Sequence, residues 1–375
     1  MPGLLPEIDP DGLLEYSVVY TDRSLNHMSQ AFQEVMKDIS STLKKVYNAQ
    51  TVVVVPGSGT FGMEAVARQF ATGKKCLVVR NGWFSFRWTQ IFEKGNIPSE
   101  SIVFKARRIH DAPLSPFVPA PIEEVVEAIK SQKPDLVFAP HVETSSGIML
   151  PEDYLQKLAD AVHVVGGLFV LDCIASGTIW VDMELAGVDV LISAPQKGWS
   201  ASPCCALVML SAKGQDCLEN TQSNSFACDL RKWWNIMEAY ENGGHAYHAT
   251  MPTDSLRRFR DIMKETEEYG FEKVRTEQQQ LGEKVRNMLE EKGIKSVAYK
   301  GFQAPGVVVS YTNNKSIQSG EKFVEIGFQI AAGVPLQCDE PEDFQSFRLG
   351  LFGLDKLHNV ERTLDKIEGA LNQII

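Results

Sequence analysis

Leu168–Ser200 reads LFVLDCIASGTIWVDMELAGVDVLISAPQKGWS, and two short apolar runs within it decide the fold. LFVLD ends on Asp172, and VDVLISA runs into the polar tail Pro195-Gln196-Lys197. Runs this short and this rich in β-branched residues read as strands of a parallel sheet covered on both faces. Open α/β sheets keep their ligands outside the carboxyl ends of such strands. A carboxylate and an amine delivered to one rim suit an aldehyde cofactor with a ring nitrogen. Lys197 is then the amine that forms a Schiff base, and Asp172 holds the ring proton. Each residue also has an ordinary reading. A loop lysine is usually solvated, and an aspartate after a strand is often a helix N-cap. Neither decides alone.

Composition narrows the class. The 375 residues suffice for a sizeable core and two or three domains. Apolar residues at 44% and charged residues at 23% are ordinary for a soluble protein. A net charge of −11 argues against a nucleic-acid surface and against docking on anionic lipid. No apolar run approaches the ~20 residues that span a bilayer. The first residues, MPGLLPEIDPDGLLEYS, lack a basic n-region, a hydrophobic h-region and the arginines of a mitochondrial address. Seven cysteines without CxxC spacing fit reduced thiols better than disulfides or zinc. A cytoplasmic protein is expected.

Upstream, Pro2, Pro6, Pro10 and Gly12 break any helix, so residues 1–20 read as an arm ending in the extended YSVVYT. Phe32, Val35, Met36, Ile39, Leu43 and Val46 recur at helical steps, predicting an amphipathic helix from Asn26 to Tyr47. TVVVVPGSGTFGMEAVARQFA then places Gly57, Gly59 and Gly62 in a GxGxxG between a strand and a helix. That is the dinucleotide fingerprint in its proper context. The acidic residue expected about 20 positions on is missing, since KCLVVRN ends in Arg80-Asn81. Arg80 suits an NADP phosphate, so a reductase stays open here. A helix N-terminus binds any phosphate, however, including that of pyridoxal phosphate.

The runs VLDCIAS and DVLISAPQKG resemble the class V pyridoxal-phosphate aminotransferases, the alanine–glyoxylate and serine–pyruvate group in particular, over roughly residues 25–370. The resemblance implies an α/β pyridoxal-phosphate-dependent transferase fold of the aspartate aminotransferase type. Its large domain is built on a mostly parallel seven-stranded sheet, followed by a small α+β domain. The expected division is an arm at 1–20, a cofactor domain at 21–254 and a small domain at 255–375. By the same resemblance Lys197 is the Schiff-base lysine and Asp172 the partner of the ring nitrogen. Ser58, Gly59 and Thr60 match the phosphate cradle, and Gln196 falls among the cofactor contacts. Phe84 matches the aromatic that stacks on the ring, and Thr144 a hydroxyl at its phenolic edge. Tyr247 and Thr250 match positions that reach the cofactor phosphate of a neighbouring subunit. A homodimer with shared sites is therefore expected.

Arg348, in SFRLGLFG, matches the arginine that forks onto a substrate carboxylate, a geometry its guanidinium suits. Asp172, Lys197 and Arg348 together favour pyridoxal phosphate over a nucleotide. Asp229, Lys232 and Trp233 lie in a segment that also resembles the family. His141 and Glu143 sit beside Thr144, but a lone His and Glu in a rim loop are ordinarily structural. His245 and His248 lack a metal partner at usable spacing.

The rest of the chain predicts helices over 255–292, interrupted at Gly270, and over 319–331 and 359–374. GVVVSYT and SFRLGLFG read as strands between them. The family's usual Pro-Gly-Pro near the N-terminus is absent, and Tyr16 and Ser17 are the expected replacements in the substrate pocket. The expected substrates are alanine or serine with glyoxylate or pyruvate, and an aminophosphonate donor is the alternative. A lyase or desulfurase would need a nucleophilic cysteine, with Cys338 in PLQCDEPEDF as the candidate, although its acidic neighbours disfavour a thiolate.

Overall fold

The structure, a computed structural model, describes residues 7–374. Residues 1–6 of the expected arm lie outside that range.

The large sheet has seven strands: β1 Thr51–Pro56, β2 Lys75–Arg80, β3 Glu100–Lys105, β4 Leu136–Pro140, β5 Leu168–Asp172, β6 Val190–Ser193 and β7 Cys205–Leu210. Their order is β1-β7-β6-β5-β4-β2-β3. Only β7 opposes the rest, pairing antiparallel with both β1 and β6, while the other pairs are parallel. Register brings Asp172 opposite Pro140 on one side and Ile192 on the other. The carboxyl ends of β4, β5 and β6 therefore stand level. Residues 136–140, 168–172 and 190–193 are all buried, as expected of strands covered by helices on both faces.

Helix α1, Gln30–Tyr47, begins four residues later than its apolar period predicts, because the Ser29 hydroxyl accepts the Phe32 amide and caps it there. Before it, residues 7–29 contain no helix or strand, so YSVVYT is not a strand. The arm is tied down at points: Tyr20 donates to the Met251 carbonyl at 3.1 Å, and Arg257 to that of Ile8 at 2.6 Å.

The second body is a sheet of Val307–Tyr311, Ser346–Gly350 and Ala331–Ala332, backed by the helices Phe271–Glu291 and Val360–Ile374. The helix expected over 319–331 is instead two short turns, Lys315–Ser319 and Glu321–Glu325. Gly320 and Gly327 adopt φ of +88° and +83°, which a helix interior does not allow. Leu256, Phe259 and Met263 of the helix Thr253–Tyr269 belong to the core of the large sheet, whereas Val274 and Leu281 belong to that of the small one. The two cores overlap in sequence around Gly270, since Phe271 also packs on the large one and Ile262 and Tyr269 on the small one. Among the described residues no helix is long and apolar enough to cross a membrane.

Candidate active site

At the end of β1 the chain turns through Gly57, whose φ of +124° excludes most side chains. Helix α2, Gly59–Phe70, follows with Ser58 as N-cap, but the Ser58 side chain makes no capping bond. The amides of Ser58, Gly59 and Thr60 find no acceptor among the described residues. A Cβ on Gly59 would fall 2.6 Å from Ile174 Cδ1, so the backbone passes close to the segment after Asp172. A Cβ on Gly62 would fall 2.6 Å from that of Ala206, which shows that this glycine lets α2 press on the sheet. Open amides at a helix N-terminus form an anion site. Arg80 does not join it. Its guanidinium lies 4.7 Å from the Phe86 ring and donates to Thr89 Oγ1 and the Gln337 carbonyl, so the NADP reading loses its phosphate ligand.

Asp172 is buried at the end of β5. Its Oδ1 accepts the Ile174 amide at 2.9 Å, and no described residue donates to Oδ2. Burial pushes its carboxyl up to about 7. The charge of Glu143 adds to that, while the Ile174 bond and the Arg87 charge oppose it. The His141 amide donates to the Asp172 carbonyl at 2.8 Å, and its ring pairs with the Ser176 hydroxyl at 2.7 Å. Burial, aided by the charge of Arg275, pushes that imidazole down to about 4. His141 is thus a neutral, internally bonded group. Glu143 is fully buried and receives the Ser85 amide and hydroxyl, the Phe84 amide and the Ser145 amide and hydroxyl. It anchors the first turn of α3, Trp83–Gly95, and its oxygens face the protein. Both residues match the structural reading made of them.

Ser58, Gly59, Thr60, Phe84, Thr144, Asp172, Gln196 and Lys197 come together around a cavity of about 160 Å³. Burial and the charge of Arg348 lower the pKa of the Lys197 amine, whose Nζ lies 5.4 Å from the Phe352 ring. Gln196 Oε1 is buried with no partner. Arg348 stands at the cavity's edge with its guanidinium 5.6 Å from the Phe84 ring, held through Nε by the Ala332 carbonyl at 2.8 Å. An orphaned amide oxygen, open helix amides, a one-bond carboxylate and a buried amine fit a flat, phosphorylated heteroaromatic aldehyde.

Other expected residues stand elsewhere. Tyr16 is 88% exposed, and it and Ser17 border a separate cavity of about 600 Å³ between the arm and the start of α1. Within one chain they do not line the Lys197 cavity. Tyr247 and Thr250 are exposed and bonded to each other at 3.1 Å, outside it too. Asp229 caps the helix Leu230–Glu241, and Trp233 is buried with its indole donating to the Ala227 carbonyl. His248 bonds the Phe226 carbonyl. Cys338 is buried, and burial with the charges of Glu143 and Glu340 pushes its thiol up, so it offers no nucleophile. Sequence reading missed Arg87, which lines the cavity. Its place three residues after Phe84 on a helix was the available signal.

The family model described as Aminotransferase class-V matches residues 13–332. The chain is a class V aminotransferase. It is a transaminase that depends on pyridoxal phosphate, and the seven-stranded architecture agrees with solved relatives. The alanine–glyoxylate aminotransferase of Rattus norvegicus is 25% identical over 93% of this chain and 82% of its own length. A bifunctional phosphonoacetaldehyde hydrolase/aminoethylphosphonate transaminase of Clostridioides difficile is 25% identical over 91% of this chain and 51% of its own. The crystal structure of an alanine–glyoxylate aminotransferase from Nostoc sp. superposes with a TM-score of 0.77 at 20% identity, covering 92% of this chain and 88% of that one. Arg348 lies beyond the region that the family model matches.

Proposed function

We propose that this aminotransferase moves an amino group from a small amino acid, alanine or serine, to glyoxylate or pyruvate in two half-reactions at Lys197. The observation that carries it is the delivery of Lys197 and Asp172 to one small cavity with Arg348 at its edge. The cofactor, when bound, supplies an aldehyde that takes up the amino group and a ring that stores the electron pair released at the substrate Cα. Ser58, Gly59 and Thr60 would hold its phosphate with α2 amides, and Phe84 would pack against its ring. Gln196 and Thr144 would offer it polar contacts, and Asp172 would keep a proton on the ring nitrogen. Arg348 forks onto the substrate carboxylate and so orients the Cα–H bond. Lys197 Nζ, at the wall of the cavity, would take the Cα proton and hold it for return. Burial and the charge of Arg348 lower its pKa, which is the direction such a shuttle needs. Two chains share their sites, with Tyr247 and Thr250 reaching the partner's phosphate.

An aminoethylphosphonate donor is the second reading. The C. difficile relative favours it, and Arg348 can bind a phosphonate as well as a carboxylate.

The test is the visible absorption of the protein with pyridoxal phosphate, before and after adding alanine, serine or 2-aminoethylphosphonate. One donor is expected to bleach the colour and release its oxo product. A protein that stays colourless with the cofactor would overturn the reading. Bleaching by the phosphonate alone would select the second. Lys197→Ala is expected to abolish turnover.

A further inference from the structure

Arg87 is a cation on the wall of the cavity, and no carboxylate of the described residues lies within ion-pair distance of it. Its Nη1 donates to Thr60 Oγ1 at 2.8 Å, and its guanidinium lies 5.2 Å from the Phe84 ring centroid. One side chain thus ties the first turn of α2 to the first turn of α3. We propose that Arg87 is a positioning residue for the cofactor phosphate, acting through the Thr60 hydroxyl. This rests on the placement of that phosphate at residues 58–60.

The argument is one of donor count. A guanidinium has donors and no acceptor, while a hydroxyl has one hydrogen and accepting lone pairs. Bonded to Arg87, the Thr60 oxygen must accept, and its single hydrogen is left for another acceptor. No described residue takes it. Thr60 therefore faces the cavity as an obligate donor, polarised by the charge behind it. A hydroxyl locked in that sense favours an anion over a neutral or donating group. The cation also adds to the positive end of α2.

The alternative is that Arg87 only ties two helices together. Apoprotein of the wild type, Arg87→Met, Arg87→Lys, Thr60→Val and the Arg87→Met/Thr60→Val double variant separates the two roles. Each is titrated with pyridoxal phosphate and with pyridoxal, which lacks the phosphate, by visible absorption; thermal midpoints are taken in parallel. Arg87→Met is expected to weaken pyridoxal phosphate about 10- to 100-fold, as for the loss of one charge-assisted hydrogen bond. Pyridoxal affinity is expected to change by less than about threefold, well under one such bond. Arg87→Lys retains more phosphate affinity than Arg87→Met. On a Thr60→Val background the Arg87→Met effect shrinks, because the two act as a unit. Equal losses for both aldehydes, or additive effects in the double variant, would overturn the proposal. If Arg87→Met fails to fold, the near-isosteric Thr60→Val still makes the two-aldehyde comparison. A wild type that binds neither aldehyde defeats the cofactor placement itself.

Discussion

The Ile174 amide donates to Asp172 Oδ1 at 2.9 Å, and among the described residues no other hydrogen bond reaches that carboxylate. A buried carboxylate with one donor is held poorly as an anion, which is why its pKa rises to about 7. A protonated ring nitrogen would complete it. The chain thus keeps a weakly solvated carboxylate in place for a cationic partner.

That arrangement has a stability signature in the apoprotein. The folded state holds the Asp172 proton more tightly than the unfolded chain does. The associated stability is present below pH about 4 and is lost as pH rises through about 7. Asp172→Asn keeps an oxygen for the Ile174 amide and carries no charge. At pH 8 the variant apoprotein is expected to be more stable than the wild type by on the order of 2–4 kcal/mol, and so to unfold at a higher temperature. At pH 4 the difference should vanish. The same variant is expected to bind cofactor yet turn over about 100-fold or more slowly, comparable with losing a preorganised electrostatic group. Thermal melts at the two pH values and steady-state rates check both halves. Full activity would contradict the ring-nitrogen role.

Glu143 makes the opposite case, a carboxylate close to the site that serves the fold. Five donors from Phe84, Ser85 and Ser145 converge on it. Glu143→Ala would strand those buried donors and is expected to destabilise the protein by about 3–5 kcal/mol. Glu143→Gln, which retains an acceptor, should cost less; since the Glu143 charge helps to raise Asp172, a limb that reports Asp172 should move to lower pH while the plateau rate stays near that of the wild type. A plateau rate lowered about 100-fold or more, on the order of a lost general base, would make Glu143 a participant in proton transfer.

How much of this could be read from the sequence depended on whether the signal was local. The strand ends bearing Asp172 and Lys197 stood out because apolar runs and their polar terminations are contiguous. The glycine turn was visible but ambiguous, since Gly57, Gly59 and Gly62 meet the same backbone demands for any phosphate. Arg87 was hidden among the aromatics of WFSFRW until α3 placed it on the same face as Phe84. Which core each part of residues 253–291 serves was obscured because an amphipathic pattern does not say which core its apolar face meets.

Gly62 turns that ambiguity into an experiment. Gly62→Ala would put its Cβ 2.6 Å from that of Ala206 and is expected to destabilise the fold by about 1–3 kcal/mol through overpacking. Pairing it with Ala206→Gly removes the opposing methyl, so chemical denaturation should show most of the loss recovered. Recovery would show that this glycine serves helix–sheet packing. If the double variant stays as unstable as the single one, the contact is not the cause.

Tyr247 and Thr250 lead to the last prediction. Both are exposed, bonded to each other and absent from the lining of the Lys197 cavity, although the family likeness places them at a cofactor phosphate. The two statements agree if each chain completes its partner's site. A Lys197→Ala subunit then lacks its own base but still lends an intact Tyr247–Thr250 pair. A Tyr247→Ala/Thr250→Val subunit keeps Lys197 but lends nothing. Each homodimer should be impaired, whereas in a hybrid dimer one site has every part and the other is doubly defective. Random reassociation of an equal mixture should restore about a quarter of wild-type activity, as twofold pairing dictates. Activity no greater than the average of the two variants would place each site within a single chain. Tyr247 and Thr250 would then have to serve something other than the cofactor.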